Sequence, residues 1–177
     1  MSNKIATFED LKKISELCKN SSKKIVLCHG MFDLVHLGHI RYFQQAKNQG
    51  DILIVTLTAD EFCKKGPGKP VFSEDLRAES LSALEVIDYV GICPYPSAIE
   101  AIKLIKPNIY AKGKEYEIES DDITGMISKE REVVESFGGR ILYTDDLVFS
   151  SSTLLNSHFN IFTPEVKNYL NNIKLNY

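Results

Sequence analysis

Two histidines three residues apart, with a glycine between them, lie in the run His29-Gly-Met-Phe-Asp-Leu-Val-His36-Leu-Gly-His39. The stretch before them, Lys24-Lys-Ile-Val-Leu-Cys-His-Gly30, is short, apolar and β-branched and reads as a buried strand, while Ile40, Phe43 and Ala46 recur at helical spacing. The pair therefore sits where a strand hands over to a helix. The first amides of a helix lack intrahelical partners and its dipole is positive there, so an anion is attracted to that point. Gly38 carries no side chain to block close approach of a phosphate. The turn reads as a nucleotide phosphate site. On its own, such a pair can equally be a helix start bonded to its own backbone. His29, at the strand end, either faces the nucleotide or is packed.

The elements around this turn alternate. Strands are predicted over 24–30, 52–57, 88–93, 108–112 and 140–144, and helices over 37–48, 74–85, 97–105, 126–137 and 151–158. Five short strands separated by helices imply an α/β fold with a parallel sheet, right-handed crossovers and both faces covered. Ahead of them, Thr7 caps a first helix with Asp10 at the capping-box position and Phe8, Leu11, Ile14 and Leu17 along one face, packed outside the sheet. After them, Thr163-Pro164-Glu165 starts a capped helix with Val166, Tyr169, Leu170 and Ile173 in one apolar stripe. The organisation expected is an N-terminal helix over 1–22, one α/β domain over 23–160 and a C-terminal helix over 161–177 that needs a partner surface or leads to a further domain. In an open parallel sheet, ligands bind beyond the carboxyl ends of the strands where the strand order reverses. The segment Ala111-Lys112-Gly113-Lys114-Glu115-Tyr116 leaves the fourth strand toward the same crevice, so a cation and the histidines are expected to meet there.

Composition narrows the classes of partner. The chain has 177 residues, 44% apolar and 25% charged, which is ordinary for one globular domain. A net charge of −3 argues against a general nucleic-acid binder, so any phosphate site must be local. No apolar run approaches the roughly 18 residues of a membrane span. Cys18, Cys28, Cys63 and Cys93 form no CxxC pair and read as reduced residues, as in the cytoplasm. Asp121-Asp122 and Asp145-Asp146 are read as solvated loop doublets, with no metal assigned to them, and His158 as a surface residue.

The HxGH turn, Lys65-Gly-Pro-Gly-Lys69-Pro70, Arg77, Lys112-Gly113 and Ser150-Ser151-Ser152 resemble, in order and spacing, the cytidylyltransferase-like nucleotidyltransferases. The likeness covers about Lys23 to Phe159 and is strongest to the adenylyltransferase domain of ADP-heptose synthases. It implies a Rossmann-like, doubly wound five-stranded sheet of the nucleotidyltransferase α/β phosphodiesterase type. It also implies attack of an acceptor phosphate on the α-phosphorus of a nucleoside triphosphate, with pyrophosphate leaving. Under that resemblance His36, His39, Lys65 and Lys112 carry catalysis, and Lys69 and His29 meet the acceptor. Gly30, Met31, Phe32, Asp33, Gly38, Arg77, Gly113, Ser150, Ser151 and Ser152 line the nucleotide. Mg2+ is expected to be held mainly by the triphosphate, with Asp33 as a supporting partner or a ligand. Arg77 has a competing reading as a surface pair with Glu74.

The chain departs from the heptose enzymes in three places: Lys112-Gly-Lys-Glu-Tyr116 where they tend to have Lys-Gly-Gly-Asp-Tyr, Val148-Phe149 ahead of the serine run, and His29. These positions surround the ligands. The resemblance thus implies the reaction class and leaves the acceptor, a phosphorylated sugar or polyol, open. ATP is favoured over CTP; a CTP-dependent enzyme of the glycerol-3-phosphate type and a non-catalytic nucleotide sensor are the alternatives. A homodimer is expected, and a phosphorylated acceptor requires a sugar-kinase domain or partner, since no kinase sequence lies in the 177 residues.

Overall fold

The computed structural model describes residues 3–63, 70–116 and 125–144. Thr7 caps helix α1 (Phe8–Asn20): its hydroxyl accepts from the Asp10 amide at 3.1 Å and donates to the Asp10 carboxylate at 2.6 Å. Then follow β1 (Ile25–Gly30), α2 (Leu37–Lys47), β2 (Ile52–Thr58), α3 (Glu74–Ser82), β3 (Tyr89–Cys93), α4 (Ile99–Ile105), β4 (Ile109–Gly113), α5 (Ile127–Ser136) and β5 (Arg140–Thr144). The predicted alternation holds across the described residues, with most ends within two residues of expectation. The exception is α3, which stops at Ser82 rather than 85. Ile87 must enter the core and Asp88 must reach the Leu53 amide at 2.6 Å and the Lys47 ammonium at 2.5 Å, so the chain leaves the helix early. The predicted helices over 151–158 and 161–177 lie outside the described residues.

The sheet is parallel throughout, as the sequence predicts, and its strands lie in the order β3-β2-β1-β4-β5. Because successive side chains of a strand point to opposite faces, the sheet sorts its apolar residues into two cores. Val26, Cys28, Val55, Leu57 and Ala111 meet Phe43 and Ala46 of α2 and Ala78 and Leu81 of α3. Ile25, Leu27, Ile54 and Tyr110 meet Leu11 and Cys18 of α1, Ala101, Ile102 and Ile105 of α4, and Val134 of α5. Gly91 matters to the second layer: a Cβ there would lie 2.5 Å from Leu11 Cδ1, so α1 can sit directly on β3. The three residues ahead of the Thr7 cap, Lys4 to Ala6, also pair with β3, through Ala6 N to Val90 O and Val90 N to Lys4 O, both at 2.9 Å. Cys18, Cys28 and Cys93 are buried free thiols and Cys63 is a half-buried one. Among the described residues no helix is long and apolar enough to cross a membrane.

Candidate active site

Strand order reverses between β1 and β4. The helix after β1 covers one face and the helix after β4 the other, so a crevice opens between them at the strand ends, the place where such sheets take ligands. Tyr42 of α2 bridges the gap by donating to the Ala111 carbonyl of β4 at 2.7 Å.

His36 and His39 form the head of α2. His36 is the N-cap, with extended backbone, and its Nδ1 accepts from the Gly38 amide at 3.1 Å. His39 Nδ1 reaches back to the His36 amide at 3.4 Å, and the two rings lie 4.0 Å apart by their centroids. The backbone-capping reading is therefore realised, and it does not compete with a chemical role. A Nδ1 that accepts from an amide leaves the proton on Nε2, so each neutral ring keeps a donor on its other edge. The Gly38 amide, expected to face an anion, is instead engaged by His36.

The loop between β1 and α2 is shaped by Phe32, whose φ of +49° lies in the left-handed region that side chains rarely adopt. Its ring occupies the space a Cβ on Gly30 would need, 2.9 Å from that position, and meets the edge of His39 at 5.5 Å and Phe43 at 5.1 Å. Gly30 and Phe32 thus set the floor beneath His39. Asp33 is committed to backbone: its carboxylate accepts from Val71 N at 2.8 and 3.0 Å and from Phe72 N at 3.0 Å. Those bonds tie the histidine loop to the chain just before α3.

Arg77 departs from its expected place on phosphate. It is 0% exposed and donates to Phe72 O at 3.1 Å, Met31 O at 2.6 Å, Thr58 O at 2.8 Å and Asp60 Oδ1 at 2.7 Å. Nor does it pair with Glu74. That carboxylate takes the Asp60 amide at 2.7 Å, while Asp60 takes the Glu74 amide at 3.1 Å. Arg77 thereby joins the loops that leave β1 and β2 to the start of α3, with Met31 contributing its carbonyl.

His29 and Lys112 share the opposite face. His29 Nδ1 lies 2.9 Å from Thr56 Oγ1 and its Nε2 lies 3.4 Å from Thr58 Oγ1. Burial, reinforced by the positive charge of Lys112, pushes His29 down to about 3, so the ring is neutral at ordinary pH. The Lys112 ammonium lies 3.2 Å from Glu130 Oε2 and over the rings of Tyr110, at 5.2 Å, and Tyr116, at 4.9 Å. Lys112 thus shares a face with His29, whereas His36 and His39, which the cation was expected to meet, stand at the head of the helix on the other face. Gly113 ends β4 opposite Thr144, whose hydroxyl donates to Lys112 O at 3.3 Å.

Lys65, Lys69, Ser150, Ser151, Ser152, His158 and both acidic doublets fall outside the described residues. Sequence reading missed Asp60, Thr56, Thr58, Tyr110 and Glu130. Glu130 alone left a signal: it shares one face of α5 with Ile127 and Val134, where a carboxylate is out of place.

The order reversal, two covered faces and histidine-headed helix define a Rossmann-like, doubly wound α/β domain. The family model described as cytidylyltransferase-like matches residues 27–157, and the chain belongs to that family. It is 40% identical over 139 residues to the bifunctional protein HldE of Aliarcobacter butzleri, covering 77% of this chain and 29% of that protein. With the bifunctional protein HldE of Syntrophotalea carbinolica it shares 37% identity over 153 residues, covering 85% of this chain and 30% of the relative. The chain thus spans less than a third of the length of these curated relatives. The crystal structure of a lipopolysaccharide core biosynthesis protein from Thermoplasma volcanium GSS1 superposes with a TM-score of 0.59 at 23% identity, over 71% of this chain and 99% of that one, and shares the fold.

Proposed function

We propose that this chain transfers a nucleotidyl group from a nucleoside triphosphate, ATP in preference to CTP, to a phosphorylated sugar or polyol. An acceptor phosphate oxygen attacks the α-phosphorus, the bond between the α-phosphorus and the bridging oxygen breaks, and pyrophosphate leaves. Family membership and 35–40% identity to HldE proteins support the reaction class. The observation that carries the reading is the reciprocal cap of His36 and His39, which turns both Nδ1 atoms to backbone amides and leaves Nε2 to carry the proton. Donors set before the reaction stabilise charge as it moves toward the leaving group, each worth about 3 kcal/mol. Half-buried, neutral His29, held by Thr56 and Thr58, presents an uncharged polar group on the other face, suited to hydroxyls of the acceptor or nucleotide.

Mg2+ would accompany the triphosphate. Among the described residues no group of three His, Cys, Asp or Glu side chains is placed to hold a metal, and the Asp33 carboxylate is taken by amides. In this reading the ion's ligands would be mainly phosphate and water. An acceptor of this kind would come from a kinase acting on the free sugar, a class of reaction for which a second domain or separate partner is required.

Pyrophosphate release with ATP or CTP against a panel of sugar and polyol phosphates tests the reaction. Substitutions at His39 separate capping from donation. An asparagine can copy Nδ1 but not Nε2, so His39→Asn should keep the thermal midpoint and lose about 100-fold in kcat. His39→Gln reaches the Nε2 position and should retain more turnover at a lower midpoint. Equal turnover in the two variants would remove the donor role.

A further inference from the structure

Glu130 breaks the pattern of its own helix. Ile127, Glu130 and Val134 are the buried residues of α5, and the carboxylate is only 4% exposed. Three groups converge on it: the Tyr110 hydroxyl donates to Oε2 at 2.9 Å, the Ala98 amide to Oε1 at 3.4 Å, and the Lys112 ammonium lies 3.2 Å from Oε2. Burial and the Glu130 charge raise Tyr110 well above the usual phenol range, which keeps it a donor. An apolar pair of similar volume would stabilise the same layer at least as well, because two charges lose their hydration on burial. The pair also lies at the carboxyl end of β4, beside the strand-order reversal, rather than in the middle of the core.

We propose that Glu130 is a positioning residue for Lys112, holding its ammonium at the mouth of the crevice for a phosphate of the reacting pair. This rests on the transferase reading above. A lysine on a four-carbon stem ordinarily samples many rotamers. Here the Tyr110 and Tyr116 rings flank the ammonium and the Glu130 carboxylate pairs with it at 3.2 Å, which restricts the stem while the N–H groups can still turn to a ligand. A donor held in place before the reaction contributes most when charge shifts, so its loss falls on kcat more than on KM.

The test is pyrophosphate release by the full chain with ATP and its best acceptor in four proteins: wild type, Glu130→Gln, Lys112→Gln and the double variant. Glutamine keeps the shape and one acceptor oxygen while removing the charge. The expected result is a kcat about tenfold lower for Glu130→Gln, with KM for ATP within about twofold, and a change of less than about twofold when the same substitution is made in Lys112→Gln. Equal losses in both backgrounds overturn the proposal, since Glu130 would then act without Lys112. Wild-type turnover in Lys112→Gln overturns it as well, while leaving the transferase reading intact. No release by wild type with any nucleotide and acceptor would instead remove the transferase reading, and this proposal with it. Should Glu130→Gln fail to fold, Tyr110→Phe takes its place: loss of one anchoring bond should lower kcat about threefold in the wild type and leave Lys112→Gln unchanged, and equal losses again overturn the proposal.

Discussion

Arg77 and Lys112 look alike in the sequence, as basic residues at motif positions near a phosphate crevice, and the fold uses them in opposite ways. Arg77 is wholly buried and spends its donors on three backbone carbonyls and Asp60. Lys112 keeps a 13% exposed side chain and is engaged by a single carboxylate. The rigid guanidinium fork suits the fixed, divergent carbonyls of three loops, whereas a compact ammonium can keep one partner and still accept another. One cation builds the walls of the crevice and the other remains at its mouth.

The largest effect should separate them. Arg77→Met leaves the carbonyls of Met31, Thr58 and Phe72 without their donor and should cost on the order of 4 kcal/mol in denaturant unfolding. Lys112→Gln should cost about 1 kcal/mol of stability and lower turnover about 30-fold. The reverse ranking, with Arg77→Met stable but inactive, would break the contrast and return Arg77 to the phosphates.

Acid sharpens it further. His29 has a folded value of about 3 against 6.5 for an ordinary histidine, so between those values the unfolded chain binds more protons and stability falls with falling pH. From pH 7 to pH 5 this one group should remove up to about 2 kcal/mol. His29→Asn should flatten that part of the pH–stability curve. Lys112→Gln should flatten it less, because Lys112 is the smaller cause and burial the larger. An identical curve in His29→Asn would show that the ring is not held neutral.

The smallest effect tests the outer edge of the Arg77 cluster. Asp60 is 39% exposed at its side chain, and Arg77 would keep its three carbonyls without it. Asp60→Asn should therefore cost about 1 kcal/mol or less. A loss as large as that of Arg77→Met would mean that the ion pair, not the carbonyls, holds the loops.

Elements with strong periodicity are legible in the sequence alone, since Val26 and Cys28 face one layer and Ile25 and Leu27 the other simply by alternation. The capping box at Thr7 was equally legible, because it depends on residues three apart. The end of α3 was not: tertiary demands from Ile87 and Asp88 override its local helical pattern. At the site, His36, His39, His29 and Lys112 were identifiable from type and position, and their partners were not. Arg77 meets Met31 from 46 residues away, and Glu130 meets Tyr110 from 20 residues away, distances over which periodicity carries no information. The burial of Arg77 followed from those distant carbonyls, and the engagement of the Gly38 amide from a histidine two residues before it.

Strand β3 lies at one margin of the sheet, where unpaired amides and carbonyls invite pairing with another chain. The short segment from Lys4 to Ala6 answers Val90 on both its donor and its acceptor, and so closes that margin at the point of contact. Those few residues are thus a guard against self-association. Trimming them, or fusing a tag that pulls them away, would expose a template for aggregation without touching a single residue of the crevice.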